Sequence, residues 1–355
     1  MRPSFFVHLH PPNIPEAQAR WRYTLGAGGL AILLTVVVLI SGVLLSFYYI
    51  PFPKEAALSI QRITFRVPYG SLLRNLHYWS AQALVIVSLI HLCRVIFTGA
   101  YAPPRRFNYL LGLCLFLFMI WEDFSGYILR WDEGIRWALI VATNLVQTIP
   151  VIGMYLYRFI IGGDHISQET LIRFNAWHSF GLFLPLAFGI GWHLFRVRRD
   201  GGIAAPSTST RSHLTPYPRN VERKRIKRVV LVQREGGAAI ICLAVLILWA
   251  NVFPAPIEQP MDLNNLAAAE ANAPWFFLWV QHLLSLGNPF LWGILIPTCL
   301  FLAIGAIPFI TPLPRPQEVG RWFPASARIA QIGYISLMVF MIMLTLLALK
   351  NRLSI

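Results

Sequence analysis

Charge is scarce in this sequence: Asp, Glu, Lys and Arg together make up 13% of its 355 residues. With 56% hydrophobic and 14% aromatic residues, so little charge excludes an ordinary soluble globule and points to a chain that crosses a membrane several times. Acidic residues are the scarcest, 15 against 30 Lys and Arg, a formal net charge of +15. That excess does not indicate nucleic acid, because the basic residues sit mostly between apolar stretches. Cysteine is sparse too. Cys93, Cys114, Cys242 and Cys299 stand singly on apolar stretches, with no Cys-x-x-Cys and no Cys-x-x-Cys-His. This excludes a c-type haem attached through that motif and a cysteine-ligated cluster, and argues against a structural disulfide. There is no P-loop and no Ser-His-Asp arrangement. The N-terminal MRPSFFVHLHPPNIPEAQARWRY lacks a signal-peptide pattern, so the first span is expected to act as an uncleaved insertion signal.

What is present is a set of seven apolar stretches, predicting an all-α integral membrane protein. The spans are expected at about Leu25–Tyr49, Leu76–Phe97, Tyr109–Leu129, Asn175–Phe195, Ala238–Val252, Phe290–Ile310 and Ile332–Leu349. The fifth is short of the roughly 20 residues a bilayer requires and needs its flank from Val229, which carries Arg234 and Glu235. Orientation follows from Lys and Arg. Eleven of them lie between Arg196 and Arg234, the strongest basic run in the chain, so the 196–234 loop is expected to be cytoplasmic. An odd number of spans then places the N-terminus, Arg105 and Arg106, and Arg315 and Arg321 on that same side, in a multi-pass protein of the cell inner (plasma) membrane. Anionic lipid is a secondary use for the basic run. The stretch AAPSTSTRSHLTPYP (204–218) reads as a linker, giving a four-helix domain (1–203), a basic linker (204–229) and a three-helix domain (230–355).

Four histidines organise the first domain. His77 and His91 are 14 residues apart on the second span; His178 and His193 are 15 apart on the fourth. Fourteen helical residues rise about 21 Å and return to within about 40° of the starting face, and fifteen overshoot four turns by about 60°. Each pair therefore keeps one face at two depths, and two such helices facing each other present two His/His pairs about 20 Å apart. A lone histidine in an apolar helix is ordinarily a hydrogen-bonded structural residue. Four in two matched pairs fit two bis-imidazole haems on opposite sides of a bilayer. Gly28 and Gly42 on the first span and Gly112 and Gly126 on the third repeat the 14-residue interval. Glycine allows the close backbone approach that a haem between four helices demands, although small residues also serve ordinary helix packing in membranes. Arg74 and Arg94 sit beside the ligands, placed either to pair a haem propionate or to snorkel to the interface.

The segments GSLLRNLHYWSA (70–81), HLCRVIFTGAY (91–101), GYILRW (126–131), IPVIG (149–153) and GGDHISQETLIRFNAWH (162–178) together resemble the cytochrome b family. The 15-residue interval and the four-plus-three arrangement are similar to its plastid and cyanobacterial branch, with both halves fused in one chain. The second half matches weakly, through APWFF (273–277). The resemblance implies that His77 and His178 ligate an outer b-type haem, and that His91 and His193 ligate one near the cytoplasmic side. It implies quinol oxidation at the outer face, one electron going to an iron–sulfur partner and the other crossing through both haems to a quinone-reducing site. It also implies a Rieske-type iron–sulfur protein and a c-type cytochrome as partners, in a homodimer or larger complex. An extra covalent haem of the plastid branch is not expected, since YTLGAGG (23–29) holds no cysteine.

Two departures bear on the outer quinol site. The family's Pro-Glu-Trp-Tyr motif is replaced by Ala273-Pro274-Trp275-Phe276-Phe277, without the proton-accepting Glu, and Arg130 stands where a proline is expected. Conversely, Glu122 and Asp123 lie inside the third span, where carboxylates are expensive. One or other of these carboxylates is expected to take over proton acceptance, with Trp275 in the quinol site and Arg130, Asp132 or Glu133 as neighbours; the competing role is a charge pair with Arg130 or another subunit. The competing function is a membrane electron conduit or anchor for another oxidoreductase. His8 and His10 are read as part of a surface helix, His165 and His213 as loop residues, and His282 as interfacial, with the tryptophan-rich span ends forming an interfacial belt.

Overall fold

A run of 20 residues without a single charge forms the first crossing helix, α1 (Ala27–Ser46). The computed structural model describes residues 12–205, 225–262 and 273–353, so His8, His10, His213 and most of the predicted linker lie outside the described residues. The α-helices that follow it are α2 (Ala56–Arg66), α3 (Gly70–Phe97), α4 (Arg106–Ile128), α5 (Glu133–Gln147), α6 (Gly153–Ile161), α7 (Gln168–Ala176), α8 (Phe183–Arg199), α9 (Arg228–Val252), α10 (Leu278–Leu284), α11 (Ile296–Ile310) and α12 (Arg328–Leu353). Among the described residues, seven helical stretches are long and apolar enough to cross a membrane. These are α1, α3, α4, the α7–α8 stretch, α9, α11 with the turn before it, and α12. Their outward faces carry large apolar side chains in the open, such as Ile240, Ile241 and Leu248 on α9. Lipid, not water, suits that surface. The chain is therefore a multi-pass membrane protein.

Several expected boundaries shift. The first span begins two residues later, because Leu25 and Gly26 both adopt left-handed backbone conformations that break the helix. The second begins earlier, at Gly70, and the fifth runs the full 25 residues from Arg228. Arg234 and Glu235 do not stop the fifth helix. Arg234 donates to the Ala19 carbonyl at 2.7 Å, and Glu235 faces the cations Arg198 and Arg228. Four shorter helices, α2, α5, α6 and α10, stand where loops were expected.

The fourth span has a defect with a cause. Pro185 has no N–H and cannot accept a normal turn against the carbonyl of Gly181. The strain is absorbed just upstream by a π turn, Trp177–Gly181, in which Leu182 N–H reaches back five residues to the Trp177 carbonyl at 2.8 Å. The sixth span repeats the device: the π turn Phe290–Leu295 contains Gly293, four residues before Pro297.

The connections alternate between the two ends of the bundle. At one end β1 (Asn13–Pro15) pairs antiparallel with β2 (Arg225–Lys227), and Arg94 donates to the Ala204 carbonyl. There too the Gly320 and Phe323 amides donate to the Thr98 and Phe97 carbonyls, both at 2.8 Å. At the other end Arg130 pairs with Asp132 at 2.7 Å and reaches Glu258 at 3.8 Å. Glu133 pairs with Arg136 at 2.9 Å and accepts from the Asp262 amide at 2.7 Å. Arg74 donates to the Ala255 carbonyl at 3.1 Å and also to that of Pro256. Arg130 and Glu133 thus tie the segment after α9 onto the segment after α4, and Arg74 ties it to α3.

Candidate functional site

The four histidines face one another in two pairs. His77 on α3 meets His178 in the π turn with ring centroids 6.3 Å apart and planes at 79°; His91 on α3 meets His193 on α8 at 6.4 Å and 79°. The two geometries are the same within a tenth of an ångström. They are the same because the π turn absorbs the fifteenth residue: a widened turn carries one residue more for nearly the same rotation. An imidazole nitrogen sits about 2 Å from a metal it ligates, and each ring adds about 1 Å from nitrogen to centre. Two rings on either side of one iron therefore lie about 6 Å apart, as both pairs do.

The ring tautomer also fits ligation at the His77 and His178 pair, called outer after the orientation expected from the basic loops. The Ser41 hydroxyl donates to the Val37 carbonyl at 2.7 Å, so toward His77 Nδ1, 3.0 Å away, it can only accept. Ser125 likewise donates to the Glu122 carbonyl at 2.8 Å and faces His178 Nδ1 at 3.1 Å. His178 Nδ1 also lies 3.1 Å from the Glu122 carbonyl oxygen, an acceptor with no proton to give. Both Nδ1 atoms therefore carry hydrogen, which leaves each Nε2 lone pair for a metal. Among the described residues no three His, Cys, Asp or Glu side chains converge on a metal position. Two imidazoles per site suit a group that brings its own equatorial ligands, which haem does.

Each predicted glycine lies beneath one of these rings, and here the physical reason differs from the one expected. A Cβ on Gly126 would stand 2.6 Å from His178 Cε1, one on Gly42 3.1 Å from His77 Cε1, one on Gly112 3.1 Å from His193 Cε1, and one on Gly28 3.4 Å from His91 Cε1. The glycines make room for the imidazoles themselves. Between the two depths, Leu34, Leu84, Met119 and Leu186, one from each helix of the bundle, pack into a buried apolar cluster. Leu84 and Met119 are each seven residues from both partners on their helices. A dry layer separates the two pairs.

Arg74 and Arg94 do not snorkel. They are 8% and 5% exposed, and each is held by loop carbonyls at its own end of the bundle.

The intramembrane carboxylates lie beside the outer pair. Glu122 Oε1 is 3.5 Å from His178 Nδ1, while its Oε2 is buried without a hydrogen-bond partner among the described residues. Asp123 accepts from Gln82 Nε2 at 3.1 and 3.2 Å, and Gln82 Oε1 accepts from the Trp275 indole at 2.7 Å. Phe277 packs on Phe124 and Trp121, with ring centroids 5.6 and 6.3 Å apart. The Ala-Pro-Trp-Phe-Phe segment is thus brought beside Asp123, through Gln82. Arg130 instead pairs with Asp132 and reaches Glu258, and Glu133 pairs with Arg136 and the Asp262 amide, so Arg130 does not neutralise Glu122 or Asp123. Gln82, Ser41 and Ser125 were missed from sequence. A signal existed for the serines: Ser-Gly occurs at 41–42 and 125–126, the outer glycines, and not at Gly28 or Gly112.

The profile of the Cytochrome b/b6/petB family matches residues 15–201. The cytochrome b6 of Heliobacterium modesticaldum is 36% identical over 177 residues, covering 49% of this chain and 82% of that protein. The menaquinol:cytochrome c reductase cytochrome b subunit of Bacillus subtilis is 33% identical over 201 residues, covering 56% and 89%. A hyperthermophilic respiratory Complex III structure superposes with a TM-score of 0.72 at 21% identity, over 92% of this chain and 91% of that one, and so shares the fold across both halves. With the family profile over more than half its length and histidine pairs spaced for haem, the chain belongs to the cytochrome b family, the b-type haem proteins of the membrane.

Proposed function

We propose that this chain is the dihaem subunit of a quinol-oxidising electron-transfer complex, with His77 and His178 holding the outer haem and His91 and His193 the inner one. The observation that carries the reading is the near-identity of the two pairs at two depths. Held there by its two histidines, each haem would supply one-electron carriage. The chain's own residues do the rest. The apolar layer around Leu84 and Met119 excludes water between the sites, and Ser41 and Ser125 fix the ring tautomers.

At the outer face quinol gives up two protons and two electrons to become quinone. Asp123 stands in for the missing motif glutamate as acceptor of one proton, the other leaving to the water at that face, with Glu122 beside Asp123 and Trp275 at the wall of the quinol pocket. The hydrogen-bonded path from Asp123 through Gln82 to Trp275 supports this assignment. One electron leaves to a Rieske-type iron–sulfur partner that passes it to a c-type cytochrome, the other inward to a quinone-reducing site. The four-helix unit (1–203), a basic linker (204–229) and a three-helix unit (230–355) assemble in the inner membrane with the N-terminus and linker cytoplasmic.

The test is reduction of the purified complex by quinol, followed in the visible spectrum with and without an outer-site quinol inhibitor. Inhibitor-sensitive reduction of two b-type haems is expected in the wild type, slowed about 100-fold or more in the double variant Glu122→Gln/Asp123→Asn. Inhibitor-insensitive reduction through a peripheral subunit alone would make the chain an electron conduit for another oxidoreductase.

A further inference from the structure

We propose that Asn108 is a positioning residue of the inner pair: it holds on α4 the place that Glu122 holds at the outer pair, and its lack of charge keeps the inner haem at the higher potential. The inference rests on the reading of the four histidines as haem ligands.

The placement follows from helical periodicity. Asn108 and Glu122 are 14 residues apart on α4, the interval that also separates Gly112 from Gly126. Each therefore stands four residues, about one turn, before the glycine beneath its ring. The backbone contacts repeat as well: the Glu122 carbonyl oxygen is 3.1 Å from His178 Nδ1, and the Asn108 backbone is the partner of His193. The two side chains share an environment. Asn108 is 6% exposed and its Oδ1 is buried without a hydrogen-bond partner among the described residues, as is Glu122 Oε2. They differ in reach and in charge. Glu122 Oε1 comes within 3.5 Å of His178 Nδ1, whereas asparagine is one carbon shorter and ends in a neutral amide. Ala27 and Leu111 likewise precede the inner glycines where Ser41 and Ser125 precede the outer ones.

The distribution of charge is the reverse of what folding alone would favour. Position 108 lies in the first turn of α4, where free backbone amides and the helix dipole stabilise an anion, with Arg105 and Arg106 close by in the chain. An acid would cost least there, and the chain carries an amide. Position 122 lies within the membrane-spanning part of the same helix, where a carboxylate is expensive, and the chain carries one. A carboxylate close to the Nδ1 of a ligand favours the oxidised iron. Glu122 therefore lowers one potential while Asn108 leaves the other high, so an electron entering at the outer pair moves downhill to the inner one.

The experiment is a redox titration of the purified complex in the visible region, on the wild type, Asn108→Glu and Asn108→Leu, the inner step being the one lost in His193→Leu. In Asn108→Glu the equilibrium constant for inner reduction is expected to fall about tenfold, a shift of about 59 mV for one electron, with the outer step unmoved. Asn108→Leu removes the amide and adds no charge, and both steps are expected to stay in place. An inner step unmoved in Asn108→Glu, an equal movement of both steps, or a shift in Asn108→Leu as large as in Asn108→Glu would overturn the proposal. If Asn108→Glu fails to assemble, Asn108→Asp decides by the same criteria, with a smaller shift of the same sign expected. Haem content separates this inference from the reading beneath it. Fewer than two b-type haems per wild-type chain by pyridine haemochrome would overturn both, whereas two haems with the inner step unmoved overturn the role of Asn108 alone.

Discussion

The outer and inner histidine pairs share one frame and differ in what surrounds it. Both present two imidazoles about 6 Å apart at the same interplanar angle, over glycines on α1 and α4. Around the outer pair stand two serines and a glutamate; around the inner pair, among the described residues, no side chain reaches either Nδ1, and His193 has only the Asn108 backbone. The frame is set by backbone periodicity, and the chemical difference by single side chains laid over it. An acceptor on Nδ1 makes an imidazole a stronger donor to iron, and a nearby carboxylate favours the more positive, oxidised state. The outer haem should therefore have the lower potential of the two.

The most severe way to break the comparison is to change register. Deleting one residue between His77 and His91, such as Ser88, turns the inner ligand by about 100°. The purified protein should then carry one haem per chain by pyridine haemochrome assay. Deleting Phe180, which lies in the π turn and is 64% exposed, should instead heal the turn to a regular one. That variant should keep both haems, although it too shortens a ligand-to-ligand interval by one.

Adding a methyl group beneath each ring should rank the four positions. Gly126→Ala, with 2.6 Å of clearance, should cost most, Gly42→Ala and Gly112→Ala, both at 3.1 Å, less, and Gly28→Ala at 3.4 Å least. Overpacking a tight site costs about 1–3 kcal/mol. The order should appear in haem occupancy and in the temperature at which haem is lost.

The mildest change tunes one site alone. Glu122→Gln should raise the outer haem's midpoint potential by tens of millivolts, on a scale of about 59 mV per tenfold for one electron, and leave the inner one unmoved. Ser41→Ala or Ser125→Ala should shift the same haem by less.

The histidines and glycines were legible in the sequence because helical periodicity makes a 14-residue interval visible without knowing any neighbour. The 15-residue interval was legible as a number and not as a π turn. Its signal, Gly181 four residues before Pro185, recurs as Gly293 and Pro297, where no ligand draws attention to it. The short helices α2, α5 and α6 were hidden because each buries one face against other connections at the outer end, where Trp131, Ile135 and Leu171 form a core of their own. The start of the fifth span was obscured by Arg234 and Glu235, whose partners come from near the N-terminus and from α8. Gln82 was invisible for the same reason. Its partners lie 41 and 193 residues away, and nothing in the local sequence marks a glutamine as a bridge.

The most direct measurement is a redox titration of the purified complex in the visible region, repeated on His178→Leu and His193→Leu. Two one-electron steps at separate potentials are expected, with His178→Leu losing the lower step and His193→Leu the higher. A single step in the wild type, or loss of both steps in either variant, would contradict two independent haem sites built on one frame.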